Sequence, residues 1–192
     1  MDMMNAEKRD FTMKAKRLRR NGLVPGSVYG GPLSESISLQ MKEPETRKLL
    51  ANNNIGSRLQ LKLDGKLIPV QLKEADVNNL SNEIMNVSFQ ALKADQKVNS
   101  VITVVLTNTD KVTATLEQMI YEIPYSALPA DMIDTVEIDV DGMPVGTSMT
   151  IGDIKELQSD KLELHMGAEE MVFKIFEKKV AEEEEETTED AE

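Results

Sequence analysis

The sequence predicts a mainly β protein with short helices: an N-terminal small β-barrel domain, a C-terminal β-rich domain and a disordered acidic tail. Three observations carry this. Apolar residues alternate in short runs separated by Gly, Asn, Asp and Pro, the pattern of half-buried strands joined by turns. Charge divides unevenly: residues 1–95 hold 15 Lys/Arg against 11 Asp/Glu, and the remainder holds 7 against 23, in a chain of net charge −12. Residues 96–180 stay near −8 without the tail, so two modules with different surroundings are expected.

In the first module, Val24–Tyr29 and Ser36–Met41 read as strands, the second alternating Ile37, Leu39 and Met41. A helix is expected from about Pro44 to Ala51, with proline in its first turn, where a missing N–H costs nothing. Asn52-Asn53-Asn54 would end it, because Asn tolerates a left-handed C-cap. Leu59, Leu61 and Leu63 alternate up to Asp64-Gly65, and Ile68, Val70 and Leu72 alternate away, a hairpin with a type I′ turn. Ile84–Leu92 is a further strand, with Ile84, Asn86, Ser88 and Gln90 on one face and Met85, Val87 and Phe89 on the other.

A boundary falls near Lys93–Lys97. Beyond it strands are expected at Val98–Thr107, Thr113–Ile123, Thr135–Val140 and Leu162–Phe176, with a short helical turn within Ile151–Leu157. The domains are therefore 1–95 and 96–180. Residues 181–192 contain no aliphatic side chain larger than alanine and should be a disordered, solubilising tail.

Composition removes several classes of function. With no cysteine there is no disulfide framework and no thiolate chemistry. No run of 18 apolar residues exists, and Met1–Glu7 lacks the apolar core of a signal peptide, so a cytoplasmic protein is expected. His165, the single histidine, builds neither a conventional zinc site nor a hydrolytic triad and reads as a surface or interface residue. Gly26-x-x-x-Gly30-Gly31-Pro32 has the wrong spacing for a phosphate loop, so its glycines are turn residues. Glu137-x-Asp139-x-Asp141-Gly142 opens like a calcium loop, but its twelfth position is Ser148; a strand with outward acids explains it better. The twelve methionines are scattered and read as core filling. No cofactor, no metal and no enzymatic activity are expected.

What remains is a block of positive charge in an acidic chain: Lys14-Ala-Lys16-Arg17-Leu18-Arg19-Arg20, then Asn21-Gly22-Leu23-Val24-Pro25-Gly26-Ser27-Val28-Tyr29-Gly30-Gly31. Lys and Arg gain affinity for nucleic acid by releasing counterions from phosphates. Leu18, Leu23 and Val24 can anchor the block in a core, which would present its charges at fixed positions. Pro25-Gly26 reads as a rigid turn, and Tyr29 adds a surface for sugar or base.

This block resembles the N-terminal signature of the bacterial large-subunit ribosomal protein L-twenty-five, or general stress protein Ctc, family: basic residues around R-L-R, a glycine, an apolar-Pro pair and a Y-G-G turn. Asn5–Arg9 is similar to the family's first strand, and Leu63–Lys66 with Pro69-Val70 to its central hairpin. Val145–Met149 and Gly152–Ile154 resemble the extra domain of the two-domain form. The likeness covers about 180 residues. It implies a barrel that binds 5S rRNA, within the 50S ribosomal subunit, and a C-terminal domain that could meet neighbouring ribosomal proteins. Carried over by position, Arg9, Lys16, Arg17, Arg19 and Tyr29 form the RNA face; Lys14 and Arg20 join them by charge and proximity.

The chain departs from the family where the first domain ends. In place of the H-V-D-F strand stands Asn86-Val87-Ser88-Phe89, and in place of the Q-R-x-P stretch stands Asp76-Val77-Asn78-Asn79. Asn86 and Ser88 keep hydrogen-bonding capacity without the charge, and Asp76 opposes a phosphate. The alternative reading is therefore a stress-response paralogue of the same fold, a protein-interaction module with weak or no specific rRNA binding.

Overall fold

A computed structural model describes residues 2–112, 114–159 and 161–177. The expected tail, 181–192, lies outside them. In chain order the first unit comprises β1 (Asp2–Lys8), α1 (Ala15–Arg20), β2 (Leu23–Tyr29), β3 (Ile37–Lys42), α2 (Glu43–Asn52), β4 (Arg58–Leu63), β5 (Lys66–Asn78) and β6 (Glu83–Ala91). Six strands close into a barrel in the order β1-β3-β2-β6-β5-β4. Closure is made by β1 running parallel to β4, Asp2 beside Leu59 through Ala6 beside Leu63. Closing the sheet removes its edges and turns one apolar face into a sealed interior. Met4, Val24, Val28, Leu39, Met41, Leu59, Leu61, Val70, Leu72, Val87 and Phe89 fill it.

The hairpin is built as its alternation predicts. Asp64 and Gly65 both take positive φ, +50° and +80°, and Leu63 pairs with Lys66 across the turn. Three local readings need correction. Helix α2 does not end in a left-handed residue: Asn53 is extended (φ −133°, ψ 133°). Its side-chain Nδ2 instead donates to the Leu49 carbonyl at 3.1 Å and to Asp2 Oδ2 at 2.7 Å, capping the helix and tying it to β1. Gly26 is not a turn residue but lies inside β2 against β6, where a Cβ would fall 2.6 Å from the Val87 carbonyl oxygen; glycine is there for close approach of two backbones. Finally, Ile84 joins the core instead of the outer face. An extra residue at Met85 shifts the β5–β6 register between Asp76↔Asn86 and Val77↔Ile84, and such a bulge re-aims the side chains on either side of it.

The second unit has a four-stranded sheet, order β10-β7-β9-β12, and a three-stranded sheet, order β11-β13-β8. The strands are β7 (Val98–Thr107), β8 (Thr115–Gln118), β9 (Glu122–Ala127), β10 (Thr135–Asp139), β11 (Ser148–Thr150), β12 (Glu163–Leu164) and β13 (Met171–Phe176). Ile102, Ile123 and Tyr125 from one sheet and Val172, Phe173 and Ile175 from the other share one core. Single-turn helices at Ile151–Asp153 and Lys155–Leu157 occupy the expected helical stretch.

Two segments read as single strands are each two. The chain leaves the three-stranded sheet at Met119–Tyr121, where the Met119 and Ile120 amides share the Val172 carbonyl, and enters the four-stranded sheet as the Tyr121 carbonyl accepts from Val104. After β12 a turn at Gly167–Glu170, closed by the Glu170 amide on the Gly167 carbonyl, carries the chain back to the other sheet. No helix among the described residues is long and apolar enough to cross a membrane.

A polar joint links the two units. Ser100 Oγ accepts from Gln71 Nε2 at 2.8 Å and donates to the Gly56 carbonyl at 3.2 Å. Lys73 donates to the Asn99 carbonyl at 3.2 Å, and Arg58 Nη1 to the Pro129 carbonyl at 2.7 Å. Arg58 Nε stands 3.9 Å from Asp134 Oδ1, an ion pair too long for a hydrogen bond. Burial pushes the Asp134 carboxyl above its ordinary 3.8, and Arg58 pulls it down by less.

A carboxyl raised in the fold holds its proton more tightly than in the unfolded chain. Its contribution is favourable below about 3.8 and is lost as pH rises through the folded value. In Arg58→Met the opposing cation is gone and the window widens. The variant should be about 1–2 kcal/mol less stable than the wild type near neutrality, a modest figure because Asp134 keeps part of its surface in water. That difference should shrink as pH falls toward about 4. Urea melts at the two pH values check it, and a pH-independent difference would exclude the carboxyl as the cause.

Candidate nucleic-acid interface

The charged part of the basic block, to which the sequence analysis assigned no element, folds as a helix, α1. The signal was there: Ala15–Arg20 are mostly strong helix formers, and Asn21-Gly22 stops them. The last turn carries Arg17, Arg19 and Arg20, cations that suit the negative end of the helix dipole. Leu18 is fully buried and fixes the helix on the barrel. The Gly22 carbonyl accepts from the Glu43 amide, which ties the end of α1 to the start of α2.

Around Leu18, the side chains of Lys14, Lys16, Arg17 and Arg20 are exposed. Arg19 differs. Its side chain is 12% exposed, and its Nε donates to Glu83 Oε1 at 2.8 Å. It clamps α1 to the first residue of β6, so Arg19 has a structural task whatever else it touches.

Of the other predicted residues, which sit on the outward side of the barrel wall, Tyr29 is exposed, Arg9 and Asn86 are half-buried, and Ser88 is buried, 8% exposed, contrary to an open RNA-facing position. Ser38, Ser27, Ser88 and Glu74 face one another across β3, β2, β6 and β5. Ser27 Oγ is 3.5 Å from Ser88 Oγ, and Asn86 Nδ2 donates to Ser88 Oγ at 3.3 Å. Tyr29, two residues after Ser27, points the same way beside Gln90 and is exposed. The Arg9 amide donates to the Ser38 carbonyl, which brings Arg9 to the near end of this row. Asp76 stands directly across from Asn86, so the acid noted in the sequence sits at the far margin of the polar row.

The loop after β1 adds a group that sequence reasoning overlooked. The Arg9 guanidinium lies 5.6 Å from the centroid of the Phe11 ring, within cation–π range. Arg9 Nε is buried with no hydrogen-bond partner among the described residues. Asp10 Oδ1 accepts from both the Thr12 hydroxyl (2.7 Å) and the Thr12 amide (2.8 Å). These bonds, the hydroxyl first, hold its carboxyl below the ordinary value.

Sites elsewhere carry less. His165 is exposed, with Nε2 2.7 Å from Ser126 Oγ, which also lies 2.7 Å from Asn99 Oδ1. This links β7, β9 and the residue after β12, and among the described residues no carboxylate hydrogen-bonds to the imidazole. Asp139 accepts from Asn108 Nδ2 and Asp141 pairs with Lys111, so two of the three acids of the calcium-like stretch are engaged by other side chains. Among the described residues no group of three or more His, Asp or Glu is placed to hold a metal.

A closed barrel with an anchored cationic helix, joined to an acidic two-sheet unit, defines a two-module β protein with one basic pole. Residues 4–89 match the model of the ribosomal L25p family, and residues 97–179 that of the ribosomal protein TL5 C-terminal domain. Similar proteins include the large ribosomal subunit protein bL25 of Akkermansia muciniphila, 32% identical over 145 residues, covering 73% of this chain and 71% of that one. The bL25 proteins of Listeria monocytogenes (29%; 80% and 76% covered) and Enterococcus faecalis (27%; 90% and 85% covered) are similar over more of this chain. The chain belongs to the ribosomal L25p family, a family of ribosomal structural proteins and not of enzymes.

Proposed function

We propose that this protein is a structural constituent of the large ribosomal subunit that binds 5S rRNA through its basic N-terminal module. The observation that carries the reading is the placement of Lys14, Lys16, Arg17 and Arg20 on the exposed side of an anchored helix beside the polar barrel face. An RNA helix is read by shape, 2′-hydroxyls and phosphates, for which fixed cations and a row of Ser and Asn side chains are suited. Residues 1–95 form the RNA-binding unit, with Arg9, Lys14, Lys16, Arg17, Arg19, Arg20, Tyr29, Asn86 and Ser88 as its face. Residues 96–180 form an acidic unit that projects from the RNA and is available to neighbouring ribosomal proteins. The working location is the cytoplasmic ribosome.

If Arg9, Lys14, Lys16, Arg17 and Arg20 each meet a phosphate, log K should fall with log salt at a slope of about −4. A threefold rise in salt then weakens binding on the order of eightyfold. A gel-shift titration with 5S rRNA measures the slope, and a value near zero refutes the reading. Sedimentation tests the ribosomal half separately: the protein should travel with 50S subunits in a sucrose gradient. Binding to neither favours the interaction-module reading, to which Asp76 opposite Asn86 already lends weight.

A further inference from the structure

Phe11 is 76% exposed, more than any other of the seven aromatic residues. A phenyl ring left in water carries a cost that a fold usually avoids by burial, as Phe89 and Phe173 show. Nor is Phe11 on a loose loop. On its N-terminal side the Arg9 amide is bonded to the Ser38 carbonyl and the Asp10 amide to Gln40 Oε1, both on β3. On its C-terminal side the Thr12 amide and hydroxyl are bonded to Asp10. The backbone is therefore held on both flanks while the ring is presented outward.

A cation stands beside the ring, while the carboxylate of Asp10, the residue before it, is engaged by the Thr12 amide and hydroxyl. The Arg9 guanidinium sits 5.6 Å from the ring centroid, and three residues after Phe11 the exposed lysines and arginines of Lys14–Arg20 begin. In the chain the ring thus lies between Arg9 and the cationic helix of the candidate interface. An apolar protein partner would gain little from that setting. A nucleobase gains twice, from a flat aromatic face and from the Arg9 guanidinium beside it, which can meet a phosphate.

We propose that Phe11, braced by Arg9, is a stacking platform for one unpaired nucleobase of the bound RNA. The inference rests on the RNA-binding reading above and adds to it a contact that does not depend on charge. Stacking is tolerant of base identity, so this contact supplies affinity where Asn86 and Ser88 replace a charged pair.

The test uses the full chain with 5S rRNA at fixed salt. Phe11→Ala should weaken binding about tenfold or more and leave the salt slope unchanged, because no phosphate contact is lost. Phe11→Leu should lose as much as alanine, and Phe11→Trp should bind as the wild type does. The melting temperature of all three should match the wild type, since the ring is exposed. Binding of Phe11→Ala within twofold of the wild type overturns the inference while leaving the function standing, as does wild-type binding by Phe11→Leu, which would mean a generic apolar contact. A loss on 50S subunits without a loss on free 5S rRNA assigns Phe11 to a protein neighbour and also overturns it. Failure of the wild type itself to bind 5S rRNA sinks the functional reading, and this inference with it.

Discussion

Replacing Arg17 and Arg20 together by alanine should weaken 5S rRNA binding on the order of a hundredfold at physiological salt. Two charge-assisted contacts at about 1.5 kcal/mol each give roughly 3 kcal/mol. The salt slope should fall by about two, from near −4 to near −2. Both side chains are exposed on α1, so the thermal transition should be unchanged. Arg19→Ala should give a different signature. Its Nε holds Glu83, so that variant loosens α1 from β6 and lowers stability as well as affinity. A combined Arg17/Arg20 variant that binds within threefold of the wild type would remove α1 from the interface.

Gly56→Ala should be among the most damaging single-methyl additions in the molecule. Gly56 takes φ +95°, and a Cβ there would lie 2.7 Å from both Ser100 Oγ and the Val101 carbonyl oxygen. The backbone conformation costs about 1–2 kcal/mol for an L side chain. The clash displaces part of the joint and adds a comparable amount. A loss of about 3 kcal/mol is expected, or roughly 10 °C in Tm, with faster amide exchange at Ser100 and Val101. Gly65→Ala is the control: φ is +80°, but nothing lies within 4 Å of the added carbon, so only the conformational cost of about 1 kcal/mol remains. Equal losses in the two variants would show that the joint does not constrain Gly56.

The same contrast shows why some features were readable from the chain and others were not. The Asp64-Gly65 hairpin is local: its turn residues and its alternating leucines lie within a few positions of one another, so the pattern and the structure coincide. The breaks at Met119–Tyr121 and Gly167–Glu170 are not local. Alternation continues across a strand that changes sheets, because inward positions stay inward in both sheets around one core. The bulge at Met85 likewise depends on the partner strand. Among the site residues, Lys14 to Arg20 were legible because a dense cationic run in an acidic protein stands out in composition alone. Phe11 was not, since one aromatic in a loop has no pattern, and its significance lies in its exposure and in Arg9 beside it. Arg19 looked equivalent to its neighbours until Glu83, sixty-four residues away in the chain, was seen to meet it.

By itself the sequence determined the β class, the sign change in charge, the cationic helix residues and the family to which they point. These are properties of periodicity, composition and short motifs, and none requires knowing which strands meet. Only the tertiary structure decided which charges are free and which are engaged, how Gly56, Gln71 and Arg58 join the basic module to the acidic one, and that Phe11 stands outward on Arg9. Those outcomes follow from long-range packing: hydrogen bonds and ion pairs between segments distant in sequence select one arrangement, and a linear pattern carries no record of the partner.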